Sequence, residues 1–383
     1  MRFFMHGLGD QSKEQTLAGL ETMGFSGVVT GFDPEVLDLA SRYHLEAFVF
    51  THAYTANTAV VDETCLAEDV YGSKQLWFNS ACPNHPAVQQ QHLDNIRTWA
   101  GAKGAAGIYV DGARFASPCS SADMRAFFTC FCSHCQSAAL KWGYNFSRMR
   151  RDVTVLLESI TGKRATPSLQ NLSWGGGDLV SVLLRLPGVF DWLAFRSQSI
   201  EAHMQDARRV LRQVNPTAAL AMYIFSPSLA PWVGQDYQAL QPHVDIFAPM
   251  IYRSLQAGEG PACLHKEVGR IGQWLVENGV LSEPAAVEFL RTLTGLPIDP
   301  ATTLDHLDKG LPPTAVAVET SKAKNLLGPK NLLIPIIQLA DEALDESVKA
   351  VAASEADGVN FFLYEDGCVD VLTTALRGMP KGL

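Results

Sequence analysis

The sequence predicts an α/β fold, a (β/α)8 TIM barrel with long insertions after strands 4 and 6. Three observations favour it: short apolar runs of strand length recur along the chain, helical periodicity follows most of them, and there are eight such units. A doubly wound open sheet is the alternative, but no glycine-rich nucleotide fingerprint follows the first run. We therefore expect one barrel domain over residues 1–383.

The predicted strands are apolar runs bounded by turn residues. They cover residues 2–7, 24–31, 45–52, 106–112, 219–225, 244–252, 331–338 and 357–365, with helical segments such as 191–214 and 341–355 between them. Two connections are too long for ordinary barrel loops, and they predict insertions at about residues 112–190 and 255–330, the second of them helical. Both leave from the carboxyl ends of strands, where barrel enzymes build active sites. The composition of "SWGGGD" (173–178) is typical of a lid or rim loop.

Composition narrows the class of protein. Apolar residues make up 47% of the chain and charged residues 18%, which is typical of a folded domain with a sizeable core. The net charge of −10 argues against nucleic-acid or anionic-membrane partners, because no basic field would attract phosphates. The amino terminus reads as a strand and not as a signal peptide, and no apolar run is long enough for a membrane span. We expect a cytoplasmic protein.

The segment "TCFCSHC" (129–135) suggests a metal site, because it places Cys130, Cys132 and Cys135 within six positions. In a reducing compartment, clustered thiols are more often metal ligands than disulfides. A tetrahedral zinc site needs a fourth ligand, for which Cys82 in "ACPNHP" leads and Cys119 and His134 are alternatives. Redox chemistry and ordinary buried cysteines are competing interpretations. Four thiolates would leave no open coordination position, so the predicted role is structural.

The pairing of "CPNHPAVQQQHLDNIRTWA" with the later "CFCSHC" resembles glycoside hydrolase family 42, the β-galactosidase-type TIM barrels, and their uncharacterised relatives. "GIYVDGARF", "WVGQDYQAL" and "VDIFAPMIYR" are also similar to segments of glycosidase-like barrels, so the resemblance runs from about residue 75 to 255. It implies one structural zinc bound by Cys82, Cys130, Cys132 and Cys135. It also implies a saccharide substrate and suggests a homo-oligomer.

The resemblance directs attention to carboxylates, because glycoside hydrolysis needs one carboxyl to protonate the leaving oxygen and a second to attack or to activate water. Asp111 is the best candidate for the acid: it ends strand 4 before Gly112, where partial desolvation favours a protonated carboxyl. Glu365 in "FFLYEDG" is read as the end of strand 8 and is the favoured second carboxyl, with Asp236 in "GQDY" a close rival. The alternatives to these catalytic roles are structural: Asp111 accepts hydrogen bonds from nearby backbone amides, and Glu365 is a solvated charge at the barrel rim.

At two strand ends this chain departs from family 42. The family has an asparagine and then the acid/base glutamate at the end of strand 4, whereas this chain has Val110 and Asp111. The family's nucleophilic glutamate ends strand 7, whereas this chain has Gln338. The alternative function is therefore a catalytically inactive glycosidase-like barrel that binds a saccharide.

Several polar and aromatic residues close to predicted strand ends suit a sugar, whose hydroxyls need hydrogen bonds and whose C–H faces pack on rings. Each of them is also explained by ordinary packing. The predicted substrate-binding residues are Arg114, His52, Tyr54, Trp232, Tyr252, Arg253 and Gln338.

Overall fold

The computed structural model describes residues 1–10, 12–56, 62–162, 180–181, 184–254 and 262–377. The segment 173–178, for which the sequence predicts a lid or rim loop, lies outside these residues. No helix in the described part of the chain has both the length and the apolar character needed to cross a bilayer.

Eight parallel strands close into a barrel, which confirms the predicted fold class. Each strand pairs with its neighbours in chain order, and β8 returns to β1 in the register Arg2 to Gly358. The strands are β1 (Arg2–His6), β2 (Gly27–Thr30), β3 (Glu46–His52), β4 (Ala105–Asp111), β5 (Ala219–Phe225), β6 (Ile246–Met250), β7 (Leu332–Leu333 and Ile336–Gln338) and β8 (Gly358–Phe362).

Strand β7 consists of two short pieces separated by Ile334 and Pro335. A proline has no N–H to give to a strand ladder, so it favours an interruption of this kind. Both pieces pair with β6, through Leu332 opposite Ile246 and Ile336 opposite Met250. The barrel therefore closes despite the break, and Gln338 ends β7 at the carboxyl face.

Aromatic rings fill much of the barrel interior. Neighbouring rings of Phe4, Phe48, Tyr109 and Tyr223 follow one another across the sheet, with centroids 5.8, 5.3 and 4.7 Å apart. Gly107 makes room for them, because a Cβ there would lie 2.8 Å from the Phe48 ring and 2.2 Å from the carbonyl oxygen of Ala219. The interior is thus a packed core below the carboxyl face, as expected for a barrel of this size.

Helices cover the outside of the barrel and form parts of both insertions. They are Lys13–Met23, Pro34–Arg42, Pro86–Ala100, Ser133–Lys141, Phe146–Ile160, Pro187–Val214, Tyr237–Leu240, Leu264–Glu277, Glu283–Thr294, Leu304–Leu307, Thr314–Leu326, Leu344–Ala353 and Val369–Ala375. Ser133–Lys141 and Phe146–Ile160 follow β4, and the three helices between residues 264 and 307 follow β6. Residues 53–85 form a third long connection, which was not predicted as an insertion; it contains an antiparallel pair, Ala67–Glu68 with Lys74–Gln75.

The end of β8 corrects one prediction from the sequence. The strand ends at Phe362, so Glu365 does not end it and lies instead in the following turn, where its carbonyl accepts from the Cys368 N–H at 3.1 Å. The apolar run continues past the last ladder position, because Tyr364 is buried while its N–H bonds the His6 carbonyl at the barrel rim. Hydrophobicity alone therefore overestimates the length of this strand.

Candidate functional site

A cavity of about 450 Å³ lies at the carboxyl ends of the barrel strands. Every strand except β2 contributes to its wall, and loops complete it. The lining residues are His6, Phe50, His52, Phe78, Asp111, Arg114, Tyr223, Phe225, Met250, Tyr252, Ala262, Cys263, Ile336, Gln338, Phe362 and Leu363. Its size and its mixture of rings with few polar groups are typical of small-molecule sites.

Asp111 and His52 lie side by side in the wall of this cavity. They are the last residues of adjacent strands and lie opposite each other in register. Asp111 Oδ2 is 3.6 Å from His52 Nδ1, and 22% of the Asp111 side chain remains exposed. Asp111 is the only carboxylate among the lining residues in the part of the chain that the structure describes. The arrangement places one carboxyl beside an imidazole, and both face the space that a ligand would occupy.

Arg114 supplies a fixed positive charge to the cavity wall. Its guanidinium lies 4.9 Å from the ring centroids of both Trp77 and Phe225, and it donates to the Phe115 carbonyl and to Ser120 Oγ at 3.1 Å. Burial lowers its pKa, while the nearby charges of Glu267 and Asp111 oppose that shift. An arginine ordinarily titrates so far above neutrality that it stays charged here.

The structure brings together five predicted substrate-binding or catalytic residues in the wall of this cavity: Asp111, Arg114, His52, Tyr252 and Gln338. Tyr252 packs on the Phe362 ring, with centroids 5.8 Å apart and an interplanar angle of 29°. Gln338 faces this cavity and also a second one.

The second cavity, of about 460 Å³, adjoins the first, and Glu365 lies there. The two cavities share Gln338, Phe362 and Leu363 in their walls. Glu365 is exposed and is separated by these shared residues from the cavity that Asp111 lines. The two favoured carboxyls therefore lie in adjacent cavities.

Asp236 has a structural role in this conformation. Its carboxylate caps the short helix Tyr237–Leu240, accepting from the Gln238 N–H at 2.9 Å and the Ala239 N–H at 3.3 Å. This bonding pattern is the usual N-cap arrangement of an aspartate. Asp236 is not among the described residues that line either cavity.

Three predicted substrate-binding residues lie elsewhere. Tyr54 is buried against the His203 ring, with centroids 5.1 Å apart. Arg253 is buried in an ion pair with Asp341 and lines a separate cavity formed by the second insertion. Trp232 lies in the turn after β5, where its carbonyl accepts from Arg196 Nη1 at 2.6 Å. None of the three lines the Asp111 cavity.

Eleven of the residues that line this cavity were not predicted from the sequence, and His6 and Phe78 are two of them. His6 ends β1 at the carboxyl face. Barrel active sites form at the carboxyl ends of strands, so the argument that made Asp111 a candidate applies to His6 as well. Phe78 lies in the connection after β3, with 56% of its side chain exposed and a φ of 44°. Such a φ is unusual for a bulky residue and is found at functional sites. No sequence pattern distinguishes Phe78 from the other phenylalanines.

The four cysteines that the resemblance implies as ligands converge in one buried cluster. Their sulfur atoms all lie within 4.8 Å of one another. Cys82 Sγ is 3.5 Å from Cys132 Sγ, 3.5 Å from Cys135 Sγ and 3.7 Å from Cys130 Sγ. Of the other two candidates for the fourth ligand, Cys119 lies where its N–H bonds Glu267, and the His134 ring packs on His85.

The geometry of the cluster fits a tetrahedral metal ion. With metal–sulfur bonds of about 2.3 Å, the sulfurs of such a site would be about 3.8 Å apart, close to the distances observed. N–H groups also point at the sulfurs: the Glu68 N–H lies 3.3 Å from Cys130 Sγ, and Asn84 Nδ2 lies 3.4 Å from Cys135 Sγ. Such donors stabilise thiolates. Hydrogen bonds from Cys130 and the other two thiols hold the pKa of Cys132 far below its usual range.

The fold is shared with glycoside hydrolases of known structure. The chain is similar to the glycoside hydrolase domain of PgaB (BpsB) from Bordetella bronchiseptica, with 12% identity, a TM-score of 0.53, and coverage of 98% of this chain and 97% of that one. It is also similar to the β-galactosidase of Marinomonas ef1 (13% identity, TM-score 0.57, 98% of this chain and 59% of that one). A catalytic mutant of Gan42B, a family 42 β-galactosidase from G. stearothermophilus, matches with 12% identity, a TM-score of 0.55, and coverage of 97% and 56%.

This chain therefore spans a little over half the length of the two β-galactosidases. No protein-family model matches the sequence, and no curated protein matches it either. At these identities the similarity concerns the (β/α)8 barrel itself.

Proposed function

We propose that this protein is a glycoside hydrolase that cleaves an O-glycosidic bond by carboxylate acid/base catalysis. The observation that carries the proposal is the position of Asp111. Its carboxyl ends β4 at the carboxyl face of the barrel, partly buried in a cavity of about 450 Å³ beside His52 and Arg114. The barrel is also of the kind found in the glycoside hydrolases to which the chain is similar.

In the proposed reaction, Asp111 in its protonated form gives its proton to the leaving glycosidic oxygen. Arg114 holds positive charge beside the site, which stabilises the aspartate that remains. The aromatic walls, among them Phe50, Tyr252 and Phe362, exclude water and pack on the sugar faces. Glu365, in the adjoining cavity, is the proposed second carboxylate, and Asp236 is its rival. As the bond from the anomeric carbon to the leaving oxygen breaks, this carboxylate either attacks that carbon or takes a proton from the water that attacks it.

We also propose that the four-cysteine cluster holds a structural zinc ion, bound by Cys82, Cys130, Cys132 and Cys135. Zinc would supply no chemistry to the reaction, because four sulfur ligands leave no coordination position for water or substrate. Its role would be to tie the loop after β4 to the connection after β3, beside the cavity. This arrangement would stabilise the rim of the site.

A second candidate function is saccharide binding without turnover. Two observations favour it: Asp111 is the only carboxylate among the described residues that line the main cavity, and Gln338 ends β7. An amide cannot serve as the nucleophile or the base that glycoside hydrolysis requires.

The test is a panel of aryl glycosides and natural oligosaccharides with the wild type and with Asp111→Asn, Glu365→Gln and Asp236→Asn. We expect Asp111→Asn to lower kcat by about 10²-fold or more, the usual contribution of a general acid. Asp206→Asn, an exposed change on the helix Pro187–Val214, is the control and should leave kcat unchanged.

Glu365→Gln and Asp236→Asn then decide the second carboxylate, because a loss comparable to that of Asp111→Asn should occur in only one of them. Full activity of Asp111→Asn would reject the proposed acid. Binding of a saccharide measured by calorimetry, with no turnover of any panel member, would favour the binding barrel.

A further inference from the structure

We propose that His6 is a substrate-binding residue whose neutral imidazole donates a hydrogen bond from Nε2 to an acceptor oxygen of the bound sugar, and that Tyr223 and Asn360 are positioning residues that hold this tautomer. The proposal rests on the proposed function for the identity of the ligand. The inference about the tautomer rests on the structure alone.

His6 and Asp111 line the same cavity, each as the last residue of its strand. The His6 ring packs on Phe50 and Phe362, both with centroids 5.1 Å away. The two rings fix its plane. An imidazole held in this way keeps its hydrogen-bonding atoms in one orientation, and a contact that determines specificity needs such a fixed orientation.

The direction of the hydrogen bonds determines the tautomer. Asn360 Nδ2 donates to Tyr223 Oη at 3.1 Å, and Tyr223 Oη lies 2.8 Å from His6 Nδ1. Both Tyr223 and Asn360 are buried, so the phenol hydrogen must find its acceptor within the protein. In the amide orientation of this structure, in which Asn360 Nδ2 donates, the hydroxyl is left to donate to Nδ1. A neutral imidazole that accepts at Nδ1 carries its hydrogen on Nε2.

The surroundings keep the ring neutral. Burial, and secondly the nearby His52, lower the pKa of His6 to about 4. The titratable and charged groups that share the cavity wall with it are His52, Asp111, Arg114, Tyr223, Tyr252 and Cys263. At neutral pH His6 is therefore neither a proton donor for the leaving group nor a cation for an acidic sugar. What remains is a single N–H donor.

The chemistry identifies the kind of ligand group. A neutral N–H can donate to an uncharged acceptor, such as a hydroxyl, ring or amide carbonyl oxygen, and it lacks the positive charge with which an imidazolium would form an ion pair with a carboxylate. A sugar analogue that lacks this oxygen would leave the buried donor unpaired and should bind more weakly. His6 thus favours sugars that carry an acceptor oxygen at one position of the ring bound beside Asp111.

The first test is ¹⁵N NMR of the imidazole rings in the full-length protein, with His6 assigned by comparison with His6→Phe. We expect the Nε2–H tautomer at pH 7 and no protonation down to about pH 5. In Tyr223→Phe the preference for Nε2–H should be lost, because the donor to Nδ1 is gone. An Nδ1–H ring or a charged ring at pH 7 in the wild type would overturn the proposal.

The second test is binding of lactose, cellobiose and chitobiose, measured by calorimetry, with the Nε2–H proton resonance as a direct readout. We expect at least one disaccharide to shift that resonance in the wild type and to bind about tenfold more weakly to His6→Phe. The control is His44→Asn, because His44 is exposed and has a φ of 54°, which an asparagine tolerates.

The outcomes separate this inference from the proposed function. Binding that depends on His6, with no hydrolysis of any sugar, would sustain the inference and reject the hydrolase. Hydrolysis with unchanged affinity in His6→Phe and no shift of the Nε2–H resonance would reject the inference and sustain the hydrolase. Failure of all three disaccharides to bind the wild type would reject His6 as a donor to these sugars.

Discussion

The two insertions that rise from the carboxyl face of the barrel are held in place by different chemistry: the first is joined to the connection after β3, and the second to the first insertion and to the turn after β5. The insertion after β4 is tied through the four-cysteine cluster, which joins it to Cys82 in the connection after β3. The insertion after β6 is tied through buried carboxylates. Glu267 accepts from Ser117 Oγ at 2.6 Å, from the Cys119 N–H at 2.9 Å and from the Ala262 N–H at 3.0 Å.

Glu319 plays a similar part on the other side of the second insertion. It is fully buried and accepts from the Ser228 N–H at 2.9 Å and Oγ at 2.7 Å, while Lys322 Nζ lies 2.9 Å away. These bonds connect the helix Thr314–Leu326 to the turn after β5. A buried carboxylate is stable only with such partners, because removing its charge from water is costly.

The cysteine cluster and the buried carboxylates differ in how far apart their partners lie along the chain. Three of the four thiols lie within six residues, so their spacing along the chain predicts that they share one metal site. The partners of Glu267 at Ser117 and Glu319 at Ser228 lie 150 and 91 residues away along the chain. Nothing local distinguishes these two glutamates from solvated ones.

Loss of a cysteine ligand should have the largest effect of the changes that test this comparison. We expect Cys82→Ser to abolish binding of the proposed zinc ion and to lose several kcal/mol of the free energy of unfolding, because metal binding free energy is folding free energy at such a site. Metal content by mass spectrometry and urea unfolding would measure both. Cys368→Ser, outside the cluster, should keep the metal. Full zinc occupancy in Cys82→Ser would contradict the assignment.

The second insertion should respond less strongly to loss of one carboxylate. Glu267→Ala leaves Ser117 Oγ and two N–H groups without their acceptor, for which we expect a loss of about 1–3 kcal/mol in the free energy of unfolding. Glu277→Ala, on the same helix but exposed, is the matched control and should be nearly neutral. Equal effects of the two changes in urea unfolding would show that Glu267 does not anchor the insertion.

Mild acid should weaken the protein through two buried histidines, one on the helix Pro187–Val214 and one in the second insertion. Burial lowers the pKa of His203, on the helix Pro187–Val214, and of His265, in the second insertion, from 6.5 to about 4. The unfolded chain therefore binds more protons between these values. The stability is complete above about pH 6.5 and falls as pH drops towards 4, by up to about 1.4 kcal/mol per pH unit for each histidine.

Urea unfolding at pH 7.5, 6.5 and 5.5 would measure this dependence in the wild type and in His265→Phe. We expect the variant to have a shallower pH dependence, because one buried group no longer titrates. His44→Asn, an exposed histidine, should keep the slope of the wild type. An unchanged slope in His265→Phe would show that its ring does not resist protonation in the folded state.

Much of the barrel follows from the sequence, and the cavity follows only in part. The apolar runs predicted all eight strands, because a parallel strand is buried on both faces and reads as a continuous apolar segment. The same apolar pattern predicted that β8 runs to Glu365, three residues beyond its end at Phe362. Hydrophobicity alone does not distinguish an apolar residue at the barrel rim from one in the strand ladder. Their nearness to strand ends also suggested Tyr54 and Arg253 as substrate-binding residues, and neither lines the Asp111 cavity.

The sequence by itself determined the order of strands, the position of Asp111 at the end of β4 and three members of the cysteine cluster, because these depend on local periodicity and spacing. The fourth member, Cys82, was implied by the resemblance to a family. Only the tertiary structure decided that Asp111 faces His52, that Glu365 lies in an adjoining cavity, and that across the barrel Tyr223 bonds His6 while Asn360 bonds Tyr223. The physical reason is barrel closure. It brings together side chains from strands more than a hundred residues apart, and which of them meet depends on the register and packing of the whole sheet.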